Sequence, residues 1–163
     1  MHKLSFSLLL IALCVTTAVA QKSQPGFSGD WNWAIYAKDK SELPPAYQSM
    51  ELHEVPAYAL DLTLKRKGNR LTGSFGLVAR YLARVDEGDF ATTISGNTAV
   101  IKLRSNFGGS ATVRLRLTGN SLTWKVLRSS GQNFFPNDAT LRKLKPGEKP
   151  PYVVDDDEPP LFD

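Results

Sequence analysis

The chain has 163 residues, 42% apolar and 22% charged, a balance that supports one globular core and excludes disordered and collagen-like classes. Its single cysteine excludes a disulfide framework, and its formal net charge of +4 leaves room for an anionic partner.

Residues 1–20 have the layout of a cleaved secretory signal, with Lys3 in a short basic region, an apolar run from Leu4 to Val15, and small Ala18 and Ala20 ahead of Gln21. The apolar run is too short to span a bilayer and no second one follows, so a stable membrane anchor is not expected. The mature chain is read as secreted or periplasmic. Cleavage after Ala20 removes Cys14, so the domain expected over 21–144 must stand on its core alone. A chain of this size buries about two thirds of its unfolded surface, which is enough.

From residue 30 onward the apolar positions alternate with polar ones, the period of a half-buried strand. Eight strands are predicted, at 30–36, 58–67, 70–82, 89–95, 98–105, 110–118, 121–128 and 139–144. Three Gly-Asn pairs, Gly68-Asn69, Gly96-Asn97 and Gly119-Asn120, punctuate them. Glycine before asparagine suits the two-residue type II′ hairpin, where the first central residue needs a positive φ. Such turns set apolar residues opposite apolar ones: Leu62 with Phe75, Leu60 with Leu77, Ile94 with Ala99, Leu115 with Trp124 and Val113 with Val126. A one-residue slip would put every one of them on the wrong face. The predicted fold is therefore all-β, an antiparallel meander of eight strands closing into a lipocalin-like barrel, since closure removes exposed edges. A sandwich is the alternative.

Three segments interrupt or end the pattern. Residues 38–57 are long for a connection, and Pro44-Pro45 before Ala46 to Leu52 predicts a short capping helix with Tyr47, Met50 and Leu52 packed inward. Phe134-Phe135-Pro136, before the last strand, is read as a plug for the opposite mouth. Residues 145–163 hold five prolines and an acidic run, and are expected to be a disordered tail.

The opening Phe27-Ser28-Gly29-Asp30-Trp31 resembles the Gly-x-Trp start of lipocalins and other calycin barrels. Over about residues 27–144 the chain is similar to small secreted bacterial β-barrel proteins of no established activity, through Gly29 to Trp33, Gly68 to Gly73, Leu117 to Trp124 and Pro136 to Leu141. The resemblance implies a barrel and an export route. It transfers no catalytic residue.

Catalysis finds little footing in the residues themselves. After signal removal one histidine is left, His53, with no cysteine, no Gly-x-Ser-x-Gly, no metal-ligand spacing and no phosphate-binding glycine loop. Asp86, Glu87 and Asp89 are read as a solvated turn or a loose cation site, without acid-base roles. No enzyme activity, cofactor or metal is expected, and the leading expectation is a binding protein for a small apolar ligand at the barrel mouth, held by Trp31, Trp33, Tyr58, Phe75 and Trp124. The alternative is a protein-interaction module, such as an inhibitor or immunity-type partner of an exported enzyme.

Charge supplies a second candidate surface. The tail from Lys145 sets two lysines against six acids, so the body from 21 to 144 carries +7. With the Gly119-Asn120 turn fixed, Arg114 faces Lys125, and an odd-length loop near Gly108 is expected to bring Lys102 beside Arg114. Arg104 and Arg116 border this row, with Asp89 opposite Arg104. The row is read as a contact for an anion or a partner, including the chain's own Asp155 to Glu158. Nucleic acid is not expected, because no aromatic stacking residues are interleaved with the cations.

Overall fold

All three Gly-Asn pairs form two-residue turns in the computed structural model, which describes residues 26–150 and Tyr152. Gly68, Gly96 and Gly119 have φ of 59°, 60° and 58°, while the asparagines that follow stay out of the left-handed region, the pattern of the type II′ turn. The consequence is a fixed register. Leu62 pairs with Phe75 and Leu60 with Leu77 across one hairpin, Ile94 with Ala99 across the next, and Leu115 with Trp124 and Val113 with Val126 across the third.

The strands are β1 (Gly29–Tyr36), β2 (Pro56–Lys67), β3 (Arg70–Ala79), β4 (Arg84–Ser95), β5 (Thr98–Arg104), β6 (Ser110–Thr118), β7 (Ser121–Ser130) and β8 (Asp138–Lys143). They run as an antiparallel meander and close into a barrel, β8 returning to β1. Two seams are short. The β1–β8 register covers only Trp31 with Lys143 and Asn32 with Arg142, and the β4–β5 register only Ile94 with Ala99 and Ser95 with Thr98.

Alternation puts one apolar set inside. Trp31, Leu60, Leu62, Ile101, Leu115 and Trp124 belong to a single buried cluster. Phe27 joins it at the end that carries the Gly-Asn turns, where its carbonyl accepts the Trp31 indole N–H at 2.8 Å. At the other end Phe135 enters between Phe75 and Trp124, with ring centroids 5.4 and 6.2 Å away. The outer positions carry Thr, Lys, Arg and Asp, the reverse of a barrel that presents apolar residues to lipid.

Several expectations are corrected. The capping helix over Ala46 to Leu52 is absent; three 3₁₀ turns, Lys40–Glu42, Pro45–Tyr47 and Leu52–Glu54, stand in its place. Tyr47, Met50 and Leu52 do pack, against a separate small cluster of Ala37, Leu43 and Val55. A segment that alternates Pro-Pro with scattered apolar residues offers no continuous helical stripe, so short turns suffice to bury it. The plug lies at the same mouth as this connection, not opposite it, because an even number of antiparallel strands brings the β1–β2 and β7–β8 loops to one end.

Strand β3 stops at Ala79 and β4 begins at Arg84, so Asp86, Glu87 and Asp89 lie in a strand and not in a turn. The turn that replaces it carries Arg80, Tyr81 and Leu82 at φ of 55°, 55° and 68°. Left-handed backbone costs non-glycine residues about 1 kcal/mol each. Packing offsets it: Tyr81 and Leu82 rest on the Leu43–Val55 cluster, and the Arg80 guanidinium lies over the Phe134 ring at 5.5 Å.

The signal expected over 1–20 lies outside the described residues, and so does the tail beyond Tyr152. The expectation of an unpacked tail does not hold at Tyr152 itself, which is buried on the barrel wall.

Candidate functional site

Of the five residues expected to line a pocket, Trp31, Phe75 and Trp124 are 0, 3 and 0% exposed, and of these three Phe75 borders a cavity, on the outer wall between β2, β3 and β4. The Trp124 indole donates to the Pro136 carbonyl at 2.9 Å, which pins the plug loop over the mouth. Trp33 and Tyr58 are different. They are half-buried at that mouth and meet edge to face at 6.0 Å. Of the five, this pair alone keeps partly exposed rings at the mouth.

The expected cationic row exists with one member exchanged. Arg114 pairs with Lys125 as predicted, but the residue beside Arg114 on β5 is Val100, and Lys102 pairs with Thr112. The loop between β5 and β6, closed by Arg104 and Ser110, spans five residues, 105–109. Its parity is odd, as expected. A loop two residues longer than the tightest odd one keeps every side chain on its face while sliding the partners by two. Likewise Asp89 is not paired with Arg104 in the short β4–β5 register.

What results is a staggered field of cations. Lys102, Arg104, Arg114, Arg116, Lys125 and Arg128 are all exposed on the outer side of β5, β6 and β7. Arg128 was not anticipated. A bulge between Thr112 and Val113 leaves Leu127 unpaired and sets Arg128 opposite Thr112. The two ion pairs among the described residues, Lys40 with Glu51 and Arg142 with Glu148, involve none of the six. Exposed apolar groups near them are limited to Val100 at 43% and Leu127 at 39%.

The opposite wall is acidic and grooved. Short Ser74 and Gly76 on β3 lie between Asp61 and Thr63 of β2 and Glu87 and Asp89 of β4, which leaves a trough of about 500 Å³. On the inner side of β4, Asp86 is 1% exposed. One of its oxygens accepts the Asn106 backbone N–H at 2.9 Å, tying β4 to the β5–β6 loop where the ladder has ended. Its other oxygen has no hydrogen-bond partner among the described residues. His53, read as a solvated loop residue, is exposed, and the described residues hold no group of three or more ligands suited to a metal.

A polar cluster that the sequence did not disclose sits at the edge of the trough. Tyr152 donates its hydroxyl proton to Asp61 Oδ2 at 2.5 Å. Asn32 Nδ2 donates to Asp61 Oδ1 at 2.8 Å and to the Tyr152 oxygen at 3.0 Å. Burial raises the Asp61 carboxyl above its ordinary value, the hydrogen bonds from Tyr152 and Asn32 pull it back, and the charge of Asp30 adds to the rise. The Tyr152 phenol is raised as well, first by burial and then by the Asp61 charge.

The pH consequence for Asp61 has a definite sign. A carboxyl that binds its proton more tightly when folded contributes most below the unfolded value of 3.8, and that contribution fades as pH rises through the folded one. Asp61→Asn should therefore show a smaller loss of urea-unfolding free energy than the native chain between about pH 4 and 7. Parallel profiles would contradict the assignment.

No family model, curated protein or solved structure matches this chain. The barrel itself and its surfaces have to carry the functional argument.

Proposed function

We propose that this chain is an exported, non-enzymatic binding protein, an interaction module that engages an acidic protein partner through the outer side of β5–β7. One observation carries the reading: six exposed cations on three neighbouring strands, none of them in an ion pair among the described residues. Like charges held this close on adjacent strands cost about a few tenths of a kcal/mol per facing pair. A partner carboxylate that comes between them removes that repulsion and adds its own attraction. The sparse apolar surface there favours a fast, salt-sensitive encounter over a tight hydrophobic one.

The test is a pull-down from the exported fraction with the native chain and with the double variant Arg114→Glu/Lys125→Glu. Capture should fall at least about tenfold in the variant, and should weaken steeply for the native chain as salt rises past the point where the screening length is about 8 Å. Capture indifferent to both changes overturns the reading.

A second reading is favoured by the half-buried Trp33–Tyr58 pair. Here a small apolar ligand rests on these rings at the mouth, without entering the filled interior. Native mass spectrometry of the purified chain, and quenching of tryptophan emission that Trp33→Phe abolishes, are the expected results. A bare mass with unquenched emission removes this reading and leaves the first intact.

A further inference from the structure

Tyr152 lies beyond β8, the last strand, which ends at Lys143, yet the residue is only 6% exposed on the outer wall of the barrel. Further along β2 and β3 the outward positions are mostly polar, as at Thr63, Lys65, Thr72 and Ser74. At this one place they are Ala59 and Val78, buried to 0 and 2% beneath the tyrosine and flanked by Ala34 and Tyr36. One row further along stand Asn32 and Asp61, the pair that receives the hydroxyl. A flat apolar floor with a hydrogen-bonding pair at its far edge is complementary to a phenol: the floor takes the ring, and the pair reads the oxygen.

The tie between this tyrosine and its own barrel is slight. From Lys145 to Pro150 the chain joins no ladder. Among the described residues it makes one turn, closed by the Glu148 N–H on the Lys145 carbonyl and the Lys145 N–H on Glu148 Oε2, each at 2.9 Å, and one ion pair to the barrel, Arg142 with Glu148 at 2.7 Å. Lys145, Pro146, Gly147 and Lys149 are exposed. Among the described residues, the contacts that hold Tyr152 come from β1, β2, β3 and the turn that follows β3, so a tyrosine arriving from elsewhere would find the same partners.

We propose that this slot is a recognition site for a tyrosine carried on a proline-rich segment, and that its second occupant is the tail of another copy of the chain. Sequence supports the choice of occupant, because Pro150 and Pro151 precede Tyr152 and cost little further conformational entropy when the segment is held. Symmetry supports it too. If two copies exchange tails, each slot is refilled with identical contacts and the assembly closes as a two-fold dimer. The tether keeps the chain's own tyrosine at an effective concentration of about millimolar, so exchange is suppressed in dilute solution and emerges when chains are concentrated. A dimer formed this way presents two cationic walls in place of one.

Two full-length variants isolate the exchange. Asp61→Ala has a spoiled slot and an intact tyrosine; Tyr152→Ala has an intact, empty slot and no tyrosine. Each alone should sediment as a monomer, while an equimolar mixture at about 100 µM should form a one-to-one dimer once the competing tether is gone. Adding Tyr152→Phe to the Asp61→Ala chain should weaken that dimer by at least about tenfold, because the hydroxyl loses both its bond to the Asp61 carboxylate and the one it accepts from Asn32. A mixture that stays monomeric at about 1 mM, with both variants folded by circular dichroism, overturns the proposal. Should Asp61→Ala fail to fold, a synthetic peptide of residues 145–157 takes its place, and amide shifts at Asn32 and Asp61 of the Tyr152→Ala chain become the readout. No shift at about 5 mM peptide is then the overturning result.

Discussion

Trp124→Ala should destabilise the barrel by about 3–5 kcal/mol, a third or more of the total stability of an ordinary domain. The side chain is fully buried, faces Leu115 on β6 and Ala139 on β8, and supports the plug residue Phe135. Truncation opens a void that the neighbouring strands cannot close without breaking their registers. It also strips the Pro136 carbonyl of its donor, which adds the cost of an unsatisfied acceptor wherever water cannot reach it. Trp124→Phe keeps most of the bulk and loses only the donor and the outer ring, so it should cost about half as much or less. Guanidinium unfolding of the three chains measures both differences. A loss under about 1 kcal/mol for the alanine variant would mean that the interior is not the close-packed unit described above.

Gly109→Ala should cost about 3 kcal/mol, through collision and not through backbone strain. A Cβ there would stand 2.3 Å from the Gln132 carbonyl oxygen, 2.7 Å from its carbon and 2.9 Å from the Ser130 oxygen. All three are backbone atoms, which no rotamer change can move aside. A Cβ on Gly131 would meet the reciprocal obstacle, 2.9 Å from Gly108 O, so the β5–β6 and β7–β8 loops press main chain against main chain at the plugged mouth. Gly108→Ala is the informative comparison. Its Cβ meets open space, but its φ of 87° is left-handed, so its cost should stay near 1 kcal/mol. If the two alanine variants unfold at the same denaturant concentration, the close approach of the loops is not a constraint on stability.

The legibility of this fold followed its punctuation. Where glycine and asparagine mark a two-residue turn, loop length, face and register follow together, and Leu62, Phe75, Leu115 and Trp124 could be paired before any coordinates. Where the turn is made by Arg80, Tyr81 and Leu82, no residue announces it, because packing on Leu43 and Val55 enforces a backbone that those side chains disfavour. Strand β4 was accordingly begun five residues late and its acids misplaced. The loop at 105–109 shows a subtler limit: alternation fixes the parity of a connection and hence the face, while leaving its length free. Arg114 and Lys125 were found because they flank a marked turn, and Lys102 was set beside the wrong neighbour because it does not.

The polar cluster was illegible for a different reason. Asn32, Asp61 and Tyr152 are separated by up to 120 residues, and nothing local to any of them signals the others. In hindsight Ala34, Ala59 and Val78 carried a faint signal, being apolar at outward positions of three consecutive strands. Such a patch asks for a cover, though sequence alone does not name it.

The two short seams have a mechanical meaning. With β1–β8 joined over two residue pairs and β4–β5 over two, the cylinder is built as a pair of curved half-shells, β1–β4 and β5–β8, meeting along two narrow hinges. Slow breathing of such a clamshell would part the half that carries the acidic trough from the strongly basic half and bare the hydrophobic lining between them. Amide protons of Asn32, Arg142, Ser95 and Thr98, which alternation along the ladders turns toward the two seams, would then trade with deuterium well ahead of those in the long β2–β3 and β6–β7 ribbons.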